Sequence, residues 1–211
     1  MSSEIKVNSV QSTGARVLAS DSGSAWSWGS GLPSGSIVQV QSFQKTDTAS
    51  MTNVLKDTDY VLQDSSSPAT AASTTGILQV NITPQIAGSK IWLTVSWFGE
   101  FTLQSVVENM MWRIYRDTTI LTADSAGNRV TGISNSSLSY HNDATSTPEN
   151  AYFQFFDTHG ISVGTQITYK LGFRQSNANS SAIYTNRCVD DTDTAARERG
   201  VSSISAIELA P

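Results

Sequence analysis

The feature that most constrains this chain is its period-two alternation, broken by dense turn signals and almost never replaced by a helical period. Residues 166–174 show it most cleanly: Ile167, Tyr169, Leu171 and Phe173 alternate with Gln, Thr, Lys and Gly. Such a segment puts its apolar side chains on one face of a strand and its polar ones on the other. In residues 89–98, Ile91, Leu93, Val95 and Trp97 share one face, with Trp92 and Phe98 on the opposite one. Apolar residues on both faces mark a central strand. Further strand signals fall at residues 36–43 (Val38 and Val40 on one face), 54–62, 77–83, 110–115, 118–122, 151–157, 181–186 and 201–209. In 151–157, Phe153 and Phe155 point inward and Tyr152 and Phe156 outward. Gly, Pro, Asn and Asp clusters at 84–88, 124–128, 134–148, 160–164 and 177–180 separate them. Residues 104–111 are the best helical exception, and 195–200 suit a turn. The expected fold is all-β, a jelly-roll antiparallel β-sandwich covering residues 36–211.

Residues 1–35 read differently. Ile5 and Val7 alternate with Glu4, Lys6 and Asn8 as one short strand, and a Ser/Gly/Ala-rich stretch follows. The segment is too polar to own a core, so it is expected to be an extended N-terminal arm. Trp26 and Trp28, two apart, would face one side and need something to pack on. Such an arm spans at most about 120 Å.

Composition excludes several function classes. The chain carries 33 Ser and 23 Thr in 211 residues, with only 15% charged side chains and a net charge of −5. An acidic chain is a poor match to a phosphate backbone, so nucleic acid is not an expected partner. No apolar run approaches 18 residues, so membrane insertion is not expected either. The start, Met-Ser-Ser-Glu-Ile-Lys, lacks an apolar leader core, which suggests synthesis in a cytoplasm. The single cysteine, Cys188, allows no disulfide within the chain and reads as a small buried hydrophobe.

The search for catalytic chemistry is negative. Phosphate-loop, zinc-protease, Cys-x-x-Cys and nucleophile-elbow motifs are missing. His141 and His159 stand 18 residues apart with no ligand spacing, and both default to surface loops. The cluster Asp190, Asp191 and Asp193 lacks the spacing of a calcium loop and is expected to pair with Arg187, Arg197 or Arg199. We expect no enzyme activity, no catalytic or metal-binding residue and no cofactor.

The alternation also leaves apolar groups where a lone sandwich would prefer polar ones. Met110, Met111, Trp112, Tyr152 and Phe156 are candidates for a subunit interface, unless they fill one thick core; Ile5, Val7, Trp26 and Trp28 are candidates for attachment. The longest turn clusters offer Tyr140, His141, Asn142, Asn177 and Asn179 as exposed loop residues suited to hydrogen-bonding a ligand.

The C-terminal run from Tyr184 to Leu209, with Asn186-Arg-Cys-Val-Asp-Asp-Thr-Asp and Arg197-Glu-Arg-Gly-Val-Ser-Ser-Ile-Ser-Ala-Ile-Glu, resembles the ending of virion structural proteins of marine tailed bacteriophages. Gly35-Ser-Ile-Val-Gln-Val, Ile82-Thr-Pro-Gln-Ile-Ala-Gly-Ser-Lys-Ile-Trp-Leu-Thr-Val-Ser, Thr168-Tyr-Lys-Leu-Gly-Phe and the first ten residues are similar to stretches of the same family. The resemblance covers most of residues 1–10 and 35–211. Cys188 departs from it. It implies a head like the C1q/TNF jelly rolls, assembled as a homotrimer, with the N-terminal segment as attachment and no catalytic residues. It further implies localisation to a virion made in the host cytoplasm, with capsid or tail proteins and a host surface glycan or receptor as candidate partners. The role expected is a short tail fibre or receptor-binding knob. The alternatives are a capsid decoration protein clamping shell subunits through its arm and, less favoured, a cellular carbohydrate-binding module.

Overall fold

A computed structural model describes residues 9–11, 17–21, 26–28, 32–102, 109–125, 127–135, 145–176 and 180–211, the first three segments by their backbone alone. Among these residues the chain is all strand and turn. Three short strands come first: β1 (Ser9–Gln11), β2 (Val17–Asp21) and β3 (Trp26–Trp28). They pair in order as an antiparallel meander, with Val10 opposite Ala19 and Ala19 opposite Trp28. The described part of the N-terminal segment is therefore folded back on itself rather than drawn out as one extended arm. The facing backbone groups of neighbouring strands bond one another, which a single extended segment cannot do alone.

The body begins with β4 (Ile37–Lys45), β5 (Ala49–Val54), β6 (Asp59–Val61), β7 (Gln79–Ile82) and β8 (Lys90–Phe101). It continues through β9 (Met110–Arg116), β10 (Thr119–Leu121), β11 (Glu149–Asp157), β12 (Ile167–Gln175), β13 (Ser181–Thr185) and β14 (Ser202–Leu209). The first sheet runs β4–β14–β8, with β11 on the other side of β8, and β13 and β5 continue the β14 and β4 rows. The second sheet runs β10–β9–β12, with β6 and β7 end to end along the far side of β12. The pairings between these described strands are antiparallel. From β7 onward the chain passes back and forth between the sheets, which is a jelly-roll β-sandwich.

The alternation explains the core. Ile91, Leu93, Val95 and Trp97 from β8, Ile204 and Ala206 from β14, and Phe153 from β11 face Trp112 and Ile114 from β9 and Ile167, Tyr169, Leu171 and Phe173 from β12. An aromatic cluster fills its centre: the Trp97 and Trp112 centroids lie 4.9 Å apart, and Phe101, Phe153 and Phe173 pack around them. The Trp97 indole N–H finds Thr185 Oγ1 at 3.1 Å, the partner a buried indole needs. At one end of the sandwich Asp157 accepts from Arg116 at 2.6 Å and from the Tyr169 hydroxyl at 2.7 Å, tying β9, β11 and β12 together.

Several expectations shift in detail. The 54–62 signal resolves into the end of β5 and the short β6, and β5 itself has no clear sequence signal. Residues 104–108 of the proposed helical stretch lie outside the described residues, while Met110 and Met111 open β9. Val38 and Val40 do not share a burial class: Val38 is buried and Val40 exposed. A bulge opposite Glu208 and Leu209 disturbs the register of β4 there.

β13 and β14 are two halves of one row. Thr185 pairs with Gly99 and Ser203 with Ser96, so β8 runs on while residues 186–201 loop out, and on the other side β4 gives way to β5. Asn186, buried and at φ 63°, closes the base of this loop. Its Nδ2 donates to the carbonyls of Lys45 and Asp47, both at 2.8 Å, and its Oδ1 accepts from Ser202 Oγ at 2.7 Å.

Candidate functional site

The outward face of the first sheet is the most unusual surface of the body. The strand registers align Val40, Ile207, Trp92 and Phe156 in one row across β4, β14, β8 and β11. Trp92 and Phe156 stack with centroids 5.7 Å apart and planes 11° from parallel. The Trp92 indole N–H donates to Gln154 Oε1 at 3.1 Å, which helps fix the ring's orientation. The next rows are uncharged: Ser42, Ser205, Thr94 and Gln154, then Gln44, Ser203, Ser96 and Tyr152. Tyr152 is 69% exposed and Phe156 53%, and Ile37 and Val40 are also open to solvent. Among the described strands β11 pairs with β8 alone. An exposed apolar face of this kind is a contact surface or an aggregation hazard. Covering even two such aromatic side chains contributes several kcal/mol at about 25 cal/mol per Å².

The candidates from sequence separate here. Met110 and Trp112 go to the core, where both are buried, because their strand turns that side inward. They are not available as a surface. Tyr152 and Phe156 are exposed on the sheet face just described. Trp26 and Trp28 are the two ends of β3. Ile5, Val7, Tyr140, His141, Asn142, Asn177 and Asn179 lie outside the described residues. The described flanks of the two candidate loops do meet: Asn135 and Ser176 both line a cavity of about 480 Å³, together with Lys56, Asn109 and Met111. Val40, Ile37 and Ile207 were missed as surface residues. Their signal was the same alternation, read without the bulge in β4.

Compared with known proteins, the chain matches no protein-family model and no curated protein.

The ionisable groups are largely committed to one another. Asp190 accepts from Arg197 at 2.8 Å, and Asp191 pairs with Arg187 at 3.1 Å and Arg199 at 2.5 Å, so the 186–201 loop carries its own ion-pair lattice. The bond from Arg197 holds the Asp190 carboxyl below its usual range. Cys188 is buried, its Sγ 3.7 Å from the Glu198 carbonyl, and burial pushes its thiol up. Among the described residues no group of three His, Cys, Asp or Glu side chains is placed to hold a metal ion. Nor does any helix there have the length and apolarity to cross a membrane.

His159 is a correction. It is buried, not in an exposed loop, with Nδ1 accepting the Ile161 N–H at 2.9 Å. Burial lowers its pKa, which favours the neutral ring. The turn after β11 folds inward against the sandwich end, a placement that no local sequence pattern encodes.

Glu100 and Glu149 form the sharpest electrostatic feature. Glu100 is buried and accepts the Thr147 N–H at 3.0 Å and the Val189 N–H at 2.6 Å, holding two loops to the end of β8. Glu149 opens the neighbouring strand. Burial, then the adjacent Glu100 charge, pushes its carboxyl up to about 8. One carboxylate serving as acceptor while its neighbour keeps a proton is the expected division for two acids in a poorly solvated place.

Proposed function

We propose that this chain is a non-enzymatic structural protein of a tailed-bacteriophage virion, assembled as a homotrimer that forms a short tail fibre or receptor-binding knob. The observation that carries the assembly is the outward face of the first sheet, where Trp92, Phe156, Tyr152 and Val40 lie together among uncharged Ser, Thr and Gln, with Lys90 at one border. A closed ring of three copies buries such a face on every subunit and leaves no open end. The sequence resemblance supplies the virion context, and the second sheet stays outward in such a ring, free for contacts with a host surface. Weak contacts there gain from three copies acting together.

Two measurements test the reading. Light scattering of the purified full chain is expected to give three subunits; a stable monomer overturns the trimer. Electron microscopy of gold-labelled phage particles is expected to show a few copies at the tail. Label spread over the shell overturns the fibre reading in favour of capsid decoration, and unlabelled particles overturn the virion role.

A further inference from the structure

A second site lies on the opposite side of the sandwich, outside the second sheet. Lys170 and Thr168 alternate along the outward side of β12, and Gln79 of β7 is the register partner of Lys170. The β9–β10 turn brings Asp117 beside them at φ 51°. Asp117 is pinned from two directions: its N–H donates to the Thr168 carbonyl at 2.8 Å, and its Oδ1 accepts the Thr168 N–H at 3.0 Å. From the other side comes the segment between β6 and β7. Lys170 Nζ donates to its Ala72 and Thr74 carbonyls, and Gln79 Oε1 accepts the Gly76 N–H at 3.0 Å. These walls line an open cavity of about 330 Å³, completed by Ser73, Thr75 and Thr118.

What remains uncommitted defines the ligand. Asp117 keeps Oδ2, Gln79 keeps its amide NH₂ and Lys170 keeps one N–H, while Thr118 and Thr168 keep their hydroxyls. Lys170 is 95% removed from solvent, and burial pushes its ammonium pKa down, so a polar ligand that replaces lost hydration is favoured there. The lining holds one cationic and one anionic side chain, so it balances to no net charge. A simple anion would meet Asp117 and a cation would meet Lys170. The apolar surface is limited to methyl and methylene groups, which rules against a hydrophobic ligand. A neutral polyol fits both requirements: each hydroxyl donates to the carboxylate or accepts from the ammonium and amide, and its C–H faces rest on threonine methyls. The volume sits at the small end of the range for small-molecule sites.

We infer that the Lys170–Asp117–Gln79 cavity binds a single neutral sugar unit. The site is complete within one chain and goes beyond the assembly role, since it does not depend on the trimer. Its two β12 bonds hold Asp117 in place before binding, so little ordering is lost on association.

The test is a titration of the ¹⁵N-labelled full chain with the methyl glycosides of glucose, galactose, mannose and N-acetylglucosamine, followed by amide shifts. At least one is expected to saturate with a Kd of about 1–10 mM, moving Thr74, Thr118 and Thr168. Asp117→Asn, which keeps the acceptor for the Thr168 N–H, is expected to weaken that binding at least about tenfold at unchanged Tm, the loss of one charge-assisted hydrogen bond. If that variant disturbs the turn, Thr118→Val on the rim is expected to weaken binding about threefold, a neutral hydrogen bond's share. The inference is overturned if no glycoside shifts these amides at about 100 mM, ten times the weakest expected Kd. It is equally overturned if shifts fall elsewhere, if neither variant changes affinity, or if inorganic phosphate competes for the same amides.

Discussion

The two sheets meet water in opposite ways. Outside the first sheet, Phe156, Tyr152 and Val40 lie bare among Ser, Thr and Gln, with Trp92 half-buried beside them. Outside the second, charge is already matched: Arg113 donates to Asp59 and to the Thr131 carbonyl at 2.8 Å, and Arg174 reaches the same Asp59 at 3.0 Å. Tyr115 is buried on that side, where burial pushes its hydroxyl up to about 12. Gly172 makes this possible, since a Cβ there would stand 2.4 Å from the Tyr115 ring. Around Asp59 the second face pairs its charges within the chain. The other leaves its apolar area for another molecule.

If this contrast is right, mutations on the two faces differ in kind. The largest effect is expected on the self-contained side: Arg113→Ala strips the buried partner from Asp59 and costs about 3 kcal/mol of folding stability, read by urea denaturation. A loss under about 1 kcal/mol, the range of exposed ion pairs, breaks the contrast. Next comes the rim of the bare side, where Gly200 lies beneath the Phe98 ring and an added Cβ would meet it at 2.3 Å. Gly200→Ala is expected to cost about 2 kcal/mol by overpacking.

A pH dependence follows from the Glu100–Glu149 pair at one end of the first sheet. The Glu149 pKa is raised to about 8 in the fold, against 4.5 as the ordinary value. The folded chain therefore holds a proton that the unfolded chain releases, and this contribution to stability is full below about pH 4.5 and declines as pH rises to about 8. The slope cannot exceed about 1.4 kcal/mol per pH unit. Glu149→Gln is expected to flatten it, and thermal melts from pH 5 to 9 measure the difference. The smallest folding effect belongs to the bare face: Phe156→Ser is expected to change the stability of a single chain by less than about 0.5 kcal/mol, as at ordinary surface positions. The same variant is expected to lose self-association in sedimentation. A variant that still assembles moves the contact off this face.

Strand positions were legible because burial follows a period of two. The 166–174 signal corresponds to β12 at Ile167–Gln175, and the Ile91–Leu93–Val95–Trp97 face is the core face of β8. β5 escaped notice because Ala49-Ser-Met-Thr-Asn-Val is half polar; it is a strand because β13 pairs with it. Hydrophobicity marked Met110, Trp112, Tyr152 and Phe156 alike, yet their destinations depend on which sheet side each strand turns inward. The expected pairing of the 190–193 acids with neighbouring arginines needed only local chain. The Lys170 cavity needed three distant segments, so no local window could announce it.

The loop at residues 186–201 has one further consequence. Because β8 runs on beside it and Asn186 clamps its base to Lys45, Asp47 and Ser202, the strand row on either side is held by contacts outside the loop's tip. The position is a ready-made graft point: foreign peptide inserted between the clamp residues would be displayed on a frame whose geometry is already decided.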